Sequence, residues 1–241
     1  MDELDILAFG AHPDDVELFA GGTLAKMAAL GYATGIVDLT RGELGTRGAP
    51  ALRAKEARNA AKILGVKIRE NLRFPDGYVE ATAAARLKII HVLRKYRPKI
   101  VLTHYWEDAH PDHVHAGQLV TEAVHHSGLL KIQTGQPRYR PPVILYFKLP
   151  PNVTPSFVVD ISDYAGLRTA AIEAHGSQLF NPSEHGPQTI LSQPDFLTHV
   201  ENLHAYYGTL IGKHKGEAFY FRKVLEIQDL IAHFAPGDRP V

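Results

Sequence analysis

His12-Pro13-Asp14-Asp15 and His110-Pro111-Asp112-His113 are two places in this chain where side chains able to hold a metal ion gather. Imidazole nitrogen and carboxylate oxygen suit zinc or iron(II), and three protein ligands with an open position describe a catalytic rather than a structural site. Each cluster carries one more group than such a site uses. Asp14 and Asp15 are adjacent and point in different directions, so one carboxylate is left over as a general base beside an activated water. His110 and His113 divide likewise into one ligand and one imidazole able to stabilise an oxyanion, with Asp112 to orient that ring. The residues alone leave open which member of each pair does which.

Both clusters follow short apolar runs, Ile6–Phe9 and Ile100–Thr103, which read as buried strands. The rest of the first half alternates between helix and strand: a helix over Thr23–Leu30 closed by Gly31, a strand over Thr34–Leu39, a helix over Leu52–Leu64, a strand over Ile68–Phe74, and helices over Ala83–Tyr96 and Val114–Ser127. Apolar strands separated by amphipathic helices predict an α/β, Rossmann-like, doubly wound and mostly parallel sheet with helices on both faces. In such a sheet strands one and four lie side by side, and ligands bind at their carboxyl ends. Topology therefore brings the two clusters together.

The pattern changes in the last part of the chain. Gln136–Pro142 reads as a loop, Val143–Leu149 and Phe157–Asp160 as strands, and Tyr164–Ala174, Phe196–Tyr207 and Leu225–His233 as helices, with a frayed tail over Pro236–Val241. The expectation is one domain over 1–241, with a Rossmann-like half over about 1–130 and a smaller strand and helix extension over about 131–241 that shapes the substrate pocket.

Composition narrows the class. With 26 basic and 26 acidic residues the chain has no basic surplus for phosphate contacts, which argues against nucleic acid as a partner. No apolar stretch is long enough to span a membrane, and the acidic opening Met1–Asp5 gives the cytoplasm as the expected compartment. There is no cysteine, so a metal here is held by imidazole and carboxylate.

With these motifs assembled, the chain resembles the LmbE-like, or PIG-L, family of zinc-dependent N-acetylglucosamine de-N-acetylases. The likeness extends to the loop Thr40–Gly48, to Arg53 and Glu56 opening the next helix, to Ala174-His175-Gly176-Ser177-Gln178 and to Gly216-Glu217-Ala218-Phe219. It implies His12, Asp15 and His113 as ligands to zinc, with iron(II) as the alternative metal. It also implies Asp14 as general base, His110 (protonated) as the imidazole that stabilises the tetrahedral intermediate, and Asp112 as its partner. Arg53 falls where relatives hold substrate; its other reading is a pair with Glu56 or Glu43.

Chain length, the full Thr40–Gly48 loop and the ending Gly216–Phe221 are most similar to the bacillithiol-biosynthesis deacetylases, which implies N-acetylglucosaminyl-malate as substrate. The alternatives are N-acetylglucosamine, a chito-oligosaccharide or another N-acyl glycoside, and beyond these a non-catalytic sugar-binding module. In each case the partner is a small N-acetylated amino-sugar conjugate, and the family implies a homo-oligomer. Ala109, where relatives carry a basic residue, and Phe196, in place of a tyrosine, point to an altered grip on substrate. Pro75-Asp76-Gly77 reads as a turn at a strand end facing the site, and His175 as a satisfied buried histidine.

Overall fold

The computed structural model describes residues 3–183 and 186–234. Its centre is a five-stranded sheet in the order β3-β2-β1-β4-β5, built from β1 (Ile6–Gly10), β2 (Thr34–Thr40), β3 (Ile68–Phe74), β4 (Ile100–His104) and β5 (Val143–Phe147). All four pairings are parallel, and β1 lies between β2 and β4, with Ile6 opposite both Thr34 and Ile100. The expected adjacency of strands one and four is present.

Alternation along the strands divides the apolar residues between two faces. Leu7 and Phe9 of β1, Val37 and Leu39 of β2 and Val101 of β4 pack on α3 (Ala83–Tyr96) and α4 (Pro111–Ser127) through Ile89, Leu93, Leu119 and Val120. Ile6, Ala8, Ile36 and Leu102 face the other way, onto Val16, Ala20 and Leu24 of α1 (Asp15–Ala29), Ala60 of α2 (Pro50–Ile63) and Ala171 of α5 (Ala165–Glu173). Burial on both faces is why these strands are continuous apolar runs rather than alternating ones.

The remaining elements are β6 (Phe157–Asp160) and β7 (Gly216–Phe219), paired antiparallel, with α6 (Phe196–Thr209) and the short α7 (Leu230–Phe234). β5 completes the central sheet and α5 covers one of its faces. Among the described residues no helix is long and apolar enough to cross a membrane.

Four elements differ most from expectation. The first helix begins at Asp15 rather than Thr23, running through Gly21 and Gly22. A side chain at Gly22 would stand 2.8 Å from the Ile161 Cδ1 methyl, so this glycine admits a neighbour rather than ending a helix. Glu217, fully buried on β7, accepts from the N–H groups of Gly22 and Thr23 at 2.8 and 2.7 Å. The helix after the second cluster begins at Pro111 rather than Val114, because proline is suited to the first helical position. The expected helix over Leu225–His233 is confined to Leu230–Phe234, and Gly216–Phe219 forms a strand where only a motif was read. The expected tail Pro236–Val241 lies outside the described residues.

Candidate metal centre

Each histidine and aspartate cluster occupies the turn from a strand into the N-terminus of a helix, β1 into α1 and β4 into α4. The first turn is pinned from both sides. Ala11 N–H donates to His104 Nε2 at 3.1 Å, and the Ala11 carbonyl accepts from Thr40 N–H at 2.9 Å and Thr40 Oγ1 at 3.0 Å. Asp14 then takes φ 126°, a conformation L-residues rarely adopt and one that costs about 1–3 kcal/mol. This turn sends the side chains of Asp14 and Asp15 in different directions.

Asp15, the first residue of α1, has the central position. Its Oδ2 accepts from His12 N–H at 2.7 Å and lies 3.5 Å from His12 Nδ1, while its Oδ1 lies 3.2 Å from His113 Nε2. One ligand atom from each of His12, Asp15 and His113 fits within 4.8 Å of the others. The geometry thus puts the Nδ1 edge of His12 and the Nε2 edge of His113 against the same carboxylate. The outward Nε2 of His12 lies 3.0 Å from Asp76 Oδ1 and 3.4 Å from Asp112 Oδ2.

The donor set fits a divalent cation. Burial alone would lower the pKa of His12, yet hydrogen bonds to Asp112, Asp15 and Asp76 outweigh it and push the value up to about 12. For Asp15 burial raises the pKa, but the charges of His113 and His104 prevail and hold it well below the usual carboxylate range. Three carboxylates around one imidazole make a focus of negative charge that a cation would neutralise.

Asp14 is buried, and its Oδ2 accepts from Arg53 Nη2 at 3.1 Å. Burial raises its pKa to about 6, Arg53 opposing the shift and Asp15 adding to it. Arg53, expected to contact substrate, is only 4 % exposed, and its guanidinium also donates to the carbonyls of Gly42 at 2.9 Å and Pro13 at 3.0 Å. Its partner is Asp14, not Glu43 or Glu56; Glu56 instead accepts from Ser177 N–H at 2.8 Å and Ser177 Oγ at 2.7 Å.

His110 is exposed at the cap of α4, and its Nδ1 accepts from Asp112 N–H at 3.2 Å. The Asp112 carboxylate accepts from Gly77 N–H at 2.8 Å and Val79 N–H at 3.3 Å, tying α4 to the loop after β3. The expected carboxylate–imidazole pair is therefore a backbone–imidazole pair, because helix geometry turns Asp112 inward while His110 stays at the rim. Burial, followed by the charges of His113 and His12, lowers the pKa of His110. A neutral ring accepting at Nδ1 carries its proton on Nε2.

The sequence gives no site role to His104 or Asp108, and only a turn to Asp76. His104 ends β4, fully buried, with Nε2 3.2 Å from Asp15 Oδ2 and its ring stacked on His113 at 4.4 Å. A polar residue closing an apolar strand was its only signal. His175 is buried as expected, 2.9 Å from Glu17 Oε1. Ala109 is exposed beside His110, whereas Phe196 packs with Leu18, Ile172 and Val200 in an apolar cluster.

Comparison with known proteins bears on this geometry. The PIG-L family profile, described as GlcNAc-PI de-N-acetylase, matches residues 7–124. A diacetylchitobiose deacetylase of Thermococcus kodakarensis is 30 % identical over 249 aligned positions, covering 96 % of this chain and 86 % of that protein. The chain belongs to the PIG-L family. PIG-L enzymes are metal-dependent carbohydrate N-deacetylases, hydrolases of acetamides, and residues 7–124 contain both histidine and aspartate clusters. Among solved structures, a conserved protein of Thermus thermophilus superposes with a TM-score of 0.84 at 37 % identity, covering 93 % of this chain and 98 % of that one. A Bacillus cereus relative, named "Probable N-acetyl-alpha-D-glucosaminyl L-malate deacetylase 2", is 27 % identical over 194 positions, covering 73 % of this chain and 84 % of that protein.

Proposed function

We propose that this PIG-L enzyme removes acetate from the N-acetylglucosamine unit of a small neutral glycoside of the chitobiose type, with zinc held by His12, Asp15 and His113. The observation that carries the reading is the convergence of His12 and His113 on Asp15, with a second buried carboxylate, Asp14, beside them. His12, Asp15 and His113 would hold the cation, which when bound would supply an acidified water, with a pKa of roughly 7, and polarisation of the amide carbonyl.

The chain's own groups supply the rest. Asp14, with its pKa near 6, is mostly ionised at neutral pH yet basic enough to take the proton of the attacking water. Arg53 holds that carboxylate in place through Nη2. His110, neutral with its proton on Nε2, offers a hydrogen bond to the oxygen that gains charge in the transition state, a contribution of about 3 kcal/mol for one donor. The proton held by Asp14 goes to the departing nitrogen, leaving acetate and a free amine.

The aglycone divides the alternatives. N-acetylglucosaminyl-malate, expected from the sequence, calls for a cationic clamp on the malate carboxylates, and Arg53 was the candidate. Its guanidinium is buried against Asp14, Gly42 and Pro13, while the chitobiose-active relative from Thermococcus matches almost the whole chain. Acetate release from diacetylchitobiose, N-acetylglucosaminyl-malate and N-acetylglucosamine, with a chelated control, tests this. Chelator-sensitive turnover of the disaccharide above the other two supports the proposal. Preferred turnover of the malate conjugate would restore the bacillithiol reading.

A further inference from the structure

The outer edge of His113 meets two charged side chains that the ligand set does not use. Asp108 Oδ1 lies 3.2 Å from His113 Nδ1 and accepts His110 N–H at 2.8 Å. Asp108 Oδ2 lies 2.8 Å from Lys148 Nζ, and the same ammonium is 2.7 Å from His113 Nδ1. Lys148 follows the last residue of β5 with φ 57°, a left-handed conformation that costs an L-residue roughly 1–2 kcal/mol. That turn places its ammonium within reach of both Asp108 and the His113 ring. The face of His113 is set separately by the buried ring of His104, 4.4 Å away and inclined by 10°.

An imidazole that ligates through Nε2 carries its proton on Nδ1, and that N–H needs an acceptor. An ammonium only donates. Without a metal, Nδ1 can accept from the Lys148 ammonium at 2.7 Å; with a metal on Nε2 the proton would sit on Nδ1, and of the two groups within reach only the Asp108 carboxylate, 3.2 Å away, could accept it. We infer that Asp108 is the outer carboxylate that fixes the tautomer and plane of His113 for metal binding, and that Lys148 holds Asp108 in that position. Asp108 is thus a positioning residue, and its bond to His110 N–H ties the rim imidazole to the same anchor. The inference rests on His113 being a metal ligand, as proposed above.

The test is zinc affinity, measured on the full chain by competition with a chromophoric chelator, together with the absorption spectrum of the cobalt(II)-loaded protein. Asp108→Ala is expected to bind zinc about 10–100-fold more weakly, with altered cobalt bands. Asp108→Asn is expected to lose less, since its amide oxygen still accepts from Nδ1 and from His110 N–H. Lys148→Met is expected to lose least. Wild-type zinc affinity and cobalt spectrum in Asp108→Ala would overturn the inference. If that variant does not fold, an unchanged affinity and spectrum in Asp108→Asn overturns it instead. Undiminished zinc affinity in His113→Ala would remove the ligand assignment itself, and the role of Asp108 with it.

Discussion

Arg53 Nη2 and Asp14 Oδ2 lie 3.1 Å apart, joining the first turns of α2 and α1 across the buried edge of the site. The guanidinium stabilises the ionised form of Asp14, the proposed base, against a burial that favours the protonated one. Its third contact, to the Gly42 carbonyl, ties the loop after β2 into the same arrangement.

Removing either partner separates base from binding. Asp14→Ala is expected to lower kcat by about 10²–10⁴-fold while the zinc content, measured by elemental analysis, stays at the wild-type level. Loss of the metal would show that Asp14 is a ligand. Arg53→Met is expected to raise the pKa of Asp14, so the acid limb of the pH profile moves to higher pH and kcat falls. A KM increase confined to anionic substrates, with the limb unmoved, would return Arg53 to a substrate contact.

Gly42 is a steric test of the same link. It has φ 64°, and a Cβ there would stand 1.7 Å from Arg53 Nη1. Gly42→Ala is therefore expected to push the guanidinium off Asp14, reproducing the shifted acid limb of Arg53→Met, and to add about 1–2 kcal/mol of backbone strain. Wild-type kinetics in this variant would show that the Gly42–Arg53 contact is dispensable.

Metal binding is expected to release a proton. With its pKa pushed to about 12 by the surrounding carboxylates, His12 is protonated at neutral pH in the metal-free site. A cation on Nδ1 displaces that proton, so roughly one proton leaves per zinc bound, and affinity rises with pH. Titrating metal-free protein with zinc in weakly buffered solution measures the release directly. No net proton release would contradict His12 as a ligand. A chelator is expected to abolish acetate release, and added zinc to restore it.

Glu17 carries a prediction about stability. It is fully buried and pairs with Arg69 and His175, while Arg69 also holds Asp38 at 2.9 Å. Burial raises the pKa of Glu17, but the charges of Arg69 and His175 dominate and bring it to about 2 from the ordinary 4.5. The unfolded chain takes up this proton first as pH falls. The stability Glu17 contributes is therefore complete above pH 4.5 and is lost as pH falls through about 2. Glu17→Gln is expected to cost about 3–5 kcal/mol at neutral pH, because it leaves buried cations uncompensated. Urea unfolding of both proteins from pH 6 downward should show a shallower acid decline in the variant, and parallel curves would argue against this role.

The central strands β1, β2 and β4 were legible because burial on both faces leaves apolar runs that need no tertiary information to recognise. Ile68–Phe74, Ala83–Tyr96 and Phe157–Asp160 also have the expected bounds. The misplaced boundaries share a cause. The first helix starts earlier than expected because Gly21 and Gly22 lie inside it, Gly21 against Arg168 and Leu64 and Gly22 against Ile161 and Glu217, residues far along the chain. Gly216–Phe219 is a strand only because β6 pairs with it.

Which residues could meet was readable from the chain alone. Histidine and aspartate at the ends of the first and fourth strands of a doubly wound sheet must converge, since strand order follows from the alternation of elements. How each side chain is used emerged only from the packing. Arg53 packs on Asp14, the Asp112 carboxylate bonds the loop after β3, and Asp76, His104 and Asp108 lie within reach of the clustered histidines. Hydrogen-bond direction, burial and the approach of residues distant in sequence set those contacts, and none of these is encoded in local spacing.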